Sequence, residues 1–200
     1  MTDRETMYKG ISHAAWGYFF LNFDFNFNNV SIFPRFVGYI LFYLAIEKLS
    51  GERRDLKLLR PLCVLMAAWT GGDWLLSWLG GDIDGHILFL DLMVAVAGLY
   101  LQFQFLTDMA ALAETYRPSI DNDLDRRLRR RRSVYIVLVT AIALFTDPPG
   151  NIAIQAGWRT GIMMALAVIA MIASRMIRAG LFELRKFVLP DTVAETGPPE

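Results

Sequence analysis

Apolar residues in this chain are gathered into blocks rather than set at the 3.6-residue spacing of a helix with one wetted face. From His86 to Leu106 only His86, Asp91, Gln102 and Gln104 are strongly polar. Gly161 to Ala173 is an unbroken run of small and apolar residues, and Ser133 to Thr146 is another with one further threonine. A hydrocarbon layer of ~30 Å takes ~20 helical residues to cross. On that measure six segments read as membrane spans: 9–26, 31–49, 58–79, 86–108, 132–147 and 156–177. The third and fourth have full length, whereas the second and fifth are short for a crossing along the bilayer normal. Blocks with almost no polar face argue against a water-soluble helical core. The expected fold is therefore an all-α, polytopic membrane bundle occupying residues 1–189, with 190–200 as a flexible tail.

The basic residues orient this bundle. Eighteen of the 20 Lys and Arg fall before span one, between spans two and three, between spans four and five, and after span six. Only Arg35 and Arg159 fall on the other connections. Basic connections stay in the cytoplasm, so both termini are expected inside, with the six spans forming three hairpins. The run Arg126–Arg132, tempered by Asp121, Asp123 and Asp125, reads as a topology determinant. Arg4 and Lys9 precede an apolar stretch as in a signal peptide, but no small-residue cleavage site follows, so span one is expected to be retained.

Composition sharpens this picture in three ways. Zero net charge removes the global field that would draw nucleic acid, so no nucleic-acid partner is expected. The single cysteine excludes an intrachain disulfide, and no Cys/His zinc pattern is present. Partitioned by topology, the acids leave an imbalance: the outer half holds six acids against two bases.

Those outer acids are the candidate chemistry. Asp73 follows Gly71-Gly72 inside span three, and Asp91 lies early in span four. Both sit ~10 Å inside the outer boundary on consecutive spans. Carboxylates at that depth persist when paired, protonated or facing water, and two close ones share a proton or hold a cation. Arg35 and Arg159 are the bases on that side, with Asp24 and Asp147 nearby in sequence. These six residues form the expected ligand site, and the glycine pair predicts a break in span three. Asp82, Asp84 and His86 are weak candidates for a divalent metal, because the later ligands of a calcium loop are missing. Gly10, Ala14 and Gly17 form a small face suited to helix packing, within the chain or on a partner. His13 reads as a bonded structural histidine.

The segment Asp24-Phe25-Asn26 followed by Pro34-x-Phe36-x-Gly38-Tyr39 resembles a motif of small multi-spanning bacterial membrane proteins to which no activity is attached. The resemblance covers about the first quarter of the chain. It implies a bacterial cytoplasmic (inner) membrane and transfers no site residue.

No motif for a soluble-type catalytic centre, nucleotide or cofactor is present, so no cofactor is expected. The sequence points to transport or membrane binding of an ion or small solute at the outer carboxylate/arginine site. The alternative is a non-catalytic accessory or assembly subunit of a membrane complex. Expected partners are the lipid bilayer, a second copy or a partner subunit, and an ion or small solute.

Overall fold

The computed structural model describes residues 4–22, 26–27, 30–31, 34–79, 88–116, 123–146 and 156–188. Among these described residues the fold is all-α with six helices: α1 (Arg4–Asn22), α2 (Arg35–Leu49), α3 (Arg60–Trp78), α4 (Leu88–Thr115), α5 (Leu124–Thr146) and α6 (Ala156–Phe187). A 3-10 turn (Arg54–Leu59) precedes α3. Between α1 and α2, Asn26–Phe27 and Val30–Ser31 form a two-residue antiparallel bridge, with Asn26 opposite Ser31. This pairing was not expected, although alternating Phe and Asn is a period-two signal.

The helices close a ring in chain order. Each packs on its sequence neighbours, and α1 closes the ring on α6. The three-hairpin expectation needs one amendment, because α3 and α4 touch at few points while α2–α3, α4–α5 and α1–α6 are substantial contacts.

The α1–α2 crossing shows how sequence produces this packing. A Cβ added at Gly17 would stand 2.7 Å from Phe42 Cδ1 and 3.0 Å from the Gly38 carbonyl oxygen. One added at Gly10 would stand 2.8 Å from Leu49 Cγ. The small face read at Gly10, Ala14 and Gly17 is therefore filled by α2, with Ala14 fully buried, and it is not free for a partner. Below the crossing the Phe42 and Phe105 rings stack with centroids 4.2 Å apart, which joins α2 to α4 across the ring.

Helix ends depart from the expected spans at both levels. α1 stops at Asn22, whose Nδ2 donates to the Tyr18 carbonyl at 2.9 Å. α2 begins at Arg35, directly after Pro34, and has 15 residues, ~22 Å long. α5 begins at Leu124, so the arginine run lies on helix ahead of the short apolar block. Arg131 Nη1 donates to the Met176 carbonyl at 2.7 Å, Arg127 pairs with Glu183 at 3.1 Å and Arg129 pairs with Glu114. These contacts fasten α5 to α6 and α4, a structural task beyond setting topology. α3 runs unbroken through Gly71 and Gly72, so the expected break is absent. Each glycine costs a helix about 1 kcal/mol, which the continuous hydrogen-bond ladder and Phe36 packed beside Gly71 offset.

The core occupies the half of the ring that carries the arginine run. Its largest side chains include Tyr18, Phe42, Leu56, Leu101, Phe105 and Met109, all fully buried. The opposite half exposes large apolar groups, among them Leu75, Trp78, Leu92, Val137, Trp158 and Met164. Among the described residues two helical stretches, Leu92–Thr115 and Thr160–Phe187, are long and apolar enough to cross a membrane. The most apolar part of the second is only 11% buried.

Candidate functional site

The ring sets the positions of Asp73 and Asp91 through one close approach. Gly98 on α4 lacks a side chain, and Met66 Cε of α3 comes within 3.1 Å of where its Cβ would stand. The Tyr39 hydroxyl of α2 comes within 3.5 Å of the same point. Three helices thus converge at Gly98, which fixes the register of α3 against α4.

From that contact the two helices run outward in opposite chain directions. Asp73 is seven residues beyond Met66, and Asp91 is seven residues before Gly98. Seven residues are ~10 Å of rise and within ~20° of two whole turns. Position 73 therefore lies on the face of α3 that carries Met66, and position 91 on the face of α4 that carries Gly98. Both stand at one level. Sequence left the rotation of each helix open, and the Met66–Gly98 contact sets it.

Asp73 is half-buried and Arg35 is exposed, and both engage other groups of the chain. Their levels are tied by neighbouring rings: Phe36 meets Trp74 edge-on with centroids 5.6 Å apart. Tyr39 on α2 and Tyr135 on α5 are both buried. The Tyr135 hydroxyl donates to Asn22 Oδ1. The Tyr18 ring lies 5.9 Å from that of Tyr135, and its buried hydroxyl has no hydrogen-bond partner among the described residues. Sequence reasoning missed this polar floor of Tyr18, Asn22, Tyr39 and Tyr135, because single tyrosines in apolar blocks carry no spacing signal.

For Asp91 and Arg159 the structure describes the backbone alone. Arg159 stands on the first turn of α6, which packs chiefly on α5 and α1 rather than α3. Asp24, Asp147, Asp82, Asp84, His86 and the 190–200 tail lie outside the described residues. Among the described residues no group of three or more His, Cys, Asp or Glu could hold a metal ion. His13 differs from its expected bonded role, since its Nδ1 is buried with no partner among them.

Two aspartate positions at one level on helices in sparse contact, with Arg35 on the next helix, are a pattern of charge that could share a proton or hold a cation. Each would raise the other's affinity for positive charge. The chain matches no protein-family model, no curated protein and no solved structure.

Proposed function

We propose that the chain is a multi-pass protein of a bacterial cytoplasmic membrane, crossing it six times with both termini inside. On this reading it binds an ion or a small solute, and carries it, at Asp73 and Asp91 with Arg35 balancing charge. Two apolar helical stretches, the uncovered apolar half and the one-sided basic residues support the membrane setting. The register set by Met66 against Gly98 carries the binding site, because it turns both aspartate positions toward the α3–α4 gap. Arg159, Asp24 and Asp147 extend the proposed site as further charged groups on the outer side. A second reading, an accessory subunit without a substrate, is favoured by the uncovered outer half of α6.

The test is thermal unfolding of the detergent-purified chain across a series of cation chlorides and pH values, with Asp73→Asn and Asp91→Asn alongside. A ligand present at 100 times its Kd adds about 2.7 kcal/mol of stability. At least one cation or a proton should stabilise the wild type, with either variant abolishing the effect. If nothing stabilises the wild type, or the variants respond as it does, the carboxylate site is wrong and the accessory reading takes its place. Orientation is tested with Arg126→Cys and Leu79→Cys, since Cys63 is fully buried and gives a silent background. Position 126 should label only from the cytoplasm and position 79 only from outside.

A further inference from the structure

The fourth span is expected to end at Asp108, yet α4 continues to Thr115, so this aspartate lies within the helix, ~10 Å short of its end. It is only 4% exposed, and it falls inside the apolar stretch Leu92–Thr115. Leu101, Phe105 and Met109 of the same helix are fully buried. The 3-10 turn Arg54–Leu59 packs on α4, with its Leu56 likewise fully buried.

Little in these surroundings meets a negative charge. Gln104 Nε2 donates to each carboxyl oxygen at 3.5 Å, the outer limit of a hydrogen bond. Asp108 forms no ion pair among the described residues. The charged groups that face it are Asp55 and Arg53 from the segment before α3, opposite in sign. On another face of α4 the Arg132 guanidinium is taken up by the Thr107 hydroxyl and the Phe103 ring. Asp125, a second buried acid, differs in standing on the first turn of α5, where unpaired backbone N–H groups favour negative charge. Asp108 is far from either end of its helix and lacks that help. A carboxylate deprived of water and of a counter-ion is much costlier than the neutral acid.

We infer that Asp108 is a reversible proton-binding site toward the C-terminal end of α4, loaded at neutral pH and exchanging its proton when the turn Arg54–Leu59 lifts from the helix. The site follows from packing alone; only its cytoplasmic side rests on the membrane setting proposed above. The step is an ionisation: the O–H bond breaks, the electron pair stays on the carboxylate, and the proton leaves to water. The charge left behind is met by water or by Arg53, and either requires the turn to move off α4. That turn runs directly into α3, the helix of Asp73, and Asp91 stands ~25 Å outward on α4 itself. Proton loss at Asp108 therefore acts on both helices of the outer site.

The experiment is infrared difference spectroscopy of the detergent-purified full chain, which reads the carbonyl stretch of a protonated carboxyl. At neutral pH the wild type should show such a band. Asp108→Asn should remove it, Asp108→Glu should keep it at a shifted frequency, and Asp73→Asn/Asp91→Asn should leave it in place. Raising the pH should abolish the band before the chain unfolds, and lowering it again should restore the band. Asp108→Asn copies the shape of the neutral acid, so its Tm at neutral pH should match or exceed that of the wild type, which separates proton binding from misfolding. A spectrum without an Asp108-dependent band at neutral pH, or a band that persists until unfolding, overturns the site. A lower Tm for Asp108→Asn does so too, because it means that the folded chain holds the charged form. An Asp108 band in a chain that no cation stabilises supports this site and overturns the Asp73/Asp91 reading; a cation response without the band does the reverse.

Discussion

Glycine-to-alanine substitution should move stability in opposite directions at different points of the bundle. At Gly38 a new Cβ would stand 2.9 Å from the Gly17 carbonyl oxygen and 2.7 Å from Leu21 Cγ; at Gly17 it would stand 2.7 Å from Phe42 Cδ1. A backbone oxygen moves only if its helix moves, so the methyl must push α1 from α2. Overpacking of this kind costs ~1–3 kcal/mol, from which the better helix propensity of alanine takes back about 1. The net loss is ~0–2 kcal/mol at each site. Gly71 and Gly161 are controls on the same physics. A Cβ at Gly71 meets Phe36 no closer than 3.6 Å, and at Gly161 it meets nothing within 4 Å. Alanine there should gain up to about 1 kcal/mol. The two classes therefore differ by ~1–3 kcal/mol, at ~2–4 °C of Tm per kcal/mol for a chain of this size. Thermal unfolding in detergent followed by tryptophan fluorescence reads this directly. If all four variants shift alike, or Gly161→Ala loses more than Gly38→Ala, close helix approach is not what holds α1 to α2.

Three further outcomes rest on other contacts. Tyr135→Phe strands the Asn22 carbonyl oxygen and should cost ~1–3 kcal/mol, whereas Tyr18→Phe deletes a hydroxyl without a hydrogen-bond partner among the described residues and should be neutral or stabilising; a melt of each variant decides, and equal losses would refute the assigned partners. Cys63, fully buried, should resist a maleimide in the native state and label only at the rate at which its helices open, so rapid stoichiometric labelling would contradict the packing of α3. At the end of α4, burial and then the Glu52 carboxylate, which accepts the Tyr116 hydroxyl at 3.1 Å, raise that phenol above the ordinary value of 10.0. The folded chain then keeps a proton that the unfolded chain releases. The contribution is complete below the unfolded value and is lost as pH rises through the folded one, so melts of wild type should fall more steeply above pH 10.0 than those of Tyr116→Phe.

Much of the helical layout was legible because long apolar blocks separated by charged segments leave few other folds. Helix ends were less so. α5 starts eight residues before the apolar block, since Leu124 and Leu128 reach the core from among arginines that dominate any local count. Arginine also has good helix propensity, and its long side chain reaches neighbouring helices from the surface. Gly71-Gly72 misled for the converse reason: glycine lowers helix propensity locally, but tertiary contact with Phe36 decides. At the candidate site, the level of Asp73 and Asp91 could be read from loop lengths. Their rotation could not, because it depends on Met66 entering the space left by Gly98, a contact between residues 32 positions apart.

The two halves of the ring follow from unequal helix lengths. α1 and α2 have 19 and 15 residues, ~28 and ~22 Å, whereas α4 and α6 have 28 and 32, ~42 and ~48 Å. All six helices overlap only over the shorter length, and that is where Phe42, Phe105 and Leu181 become fully buried. Beyond it the longer helices outrun α1 and α2, and Met164, Val168 and Leu92 lose neighbours that could cover them. In water each such side chain forgoes ~1.5–3 kcal/mol of burial, while in hydrocarbon it forgoes none. Arginine placement matches this division. Arg127, Arg129 and Arg131 clamp the six-helix half from its aqueous end, and Arg175 and Arg178 stand where α6 emerges from cover. The charged belt thus marks the limit of the core that all six helices share, beyond which α6 presents its apolar side chains without protein cover.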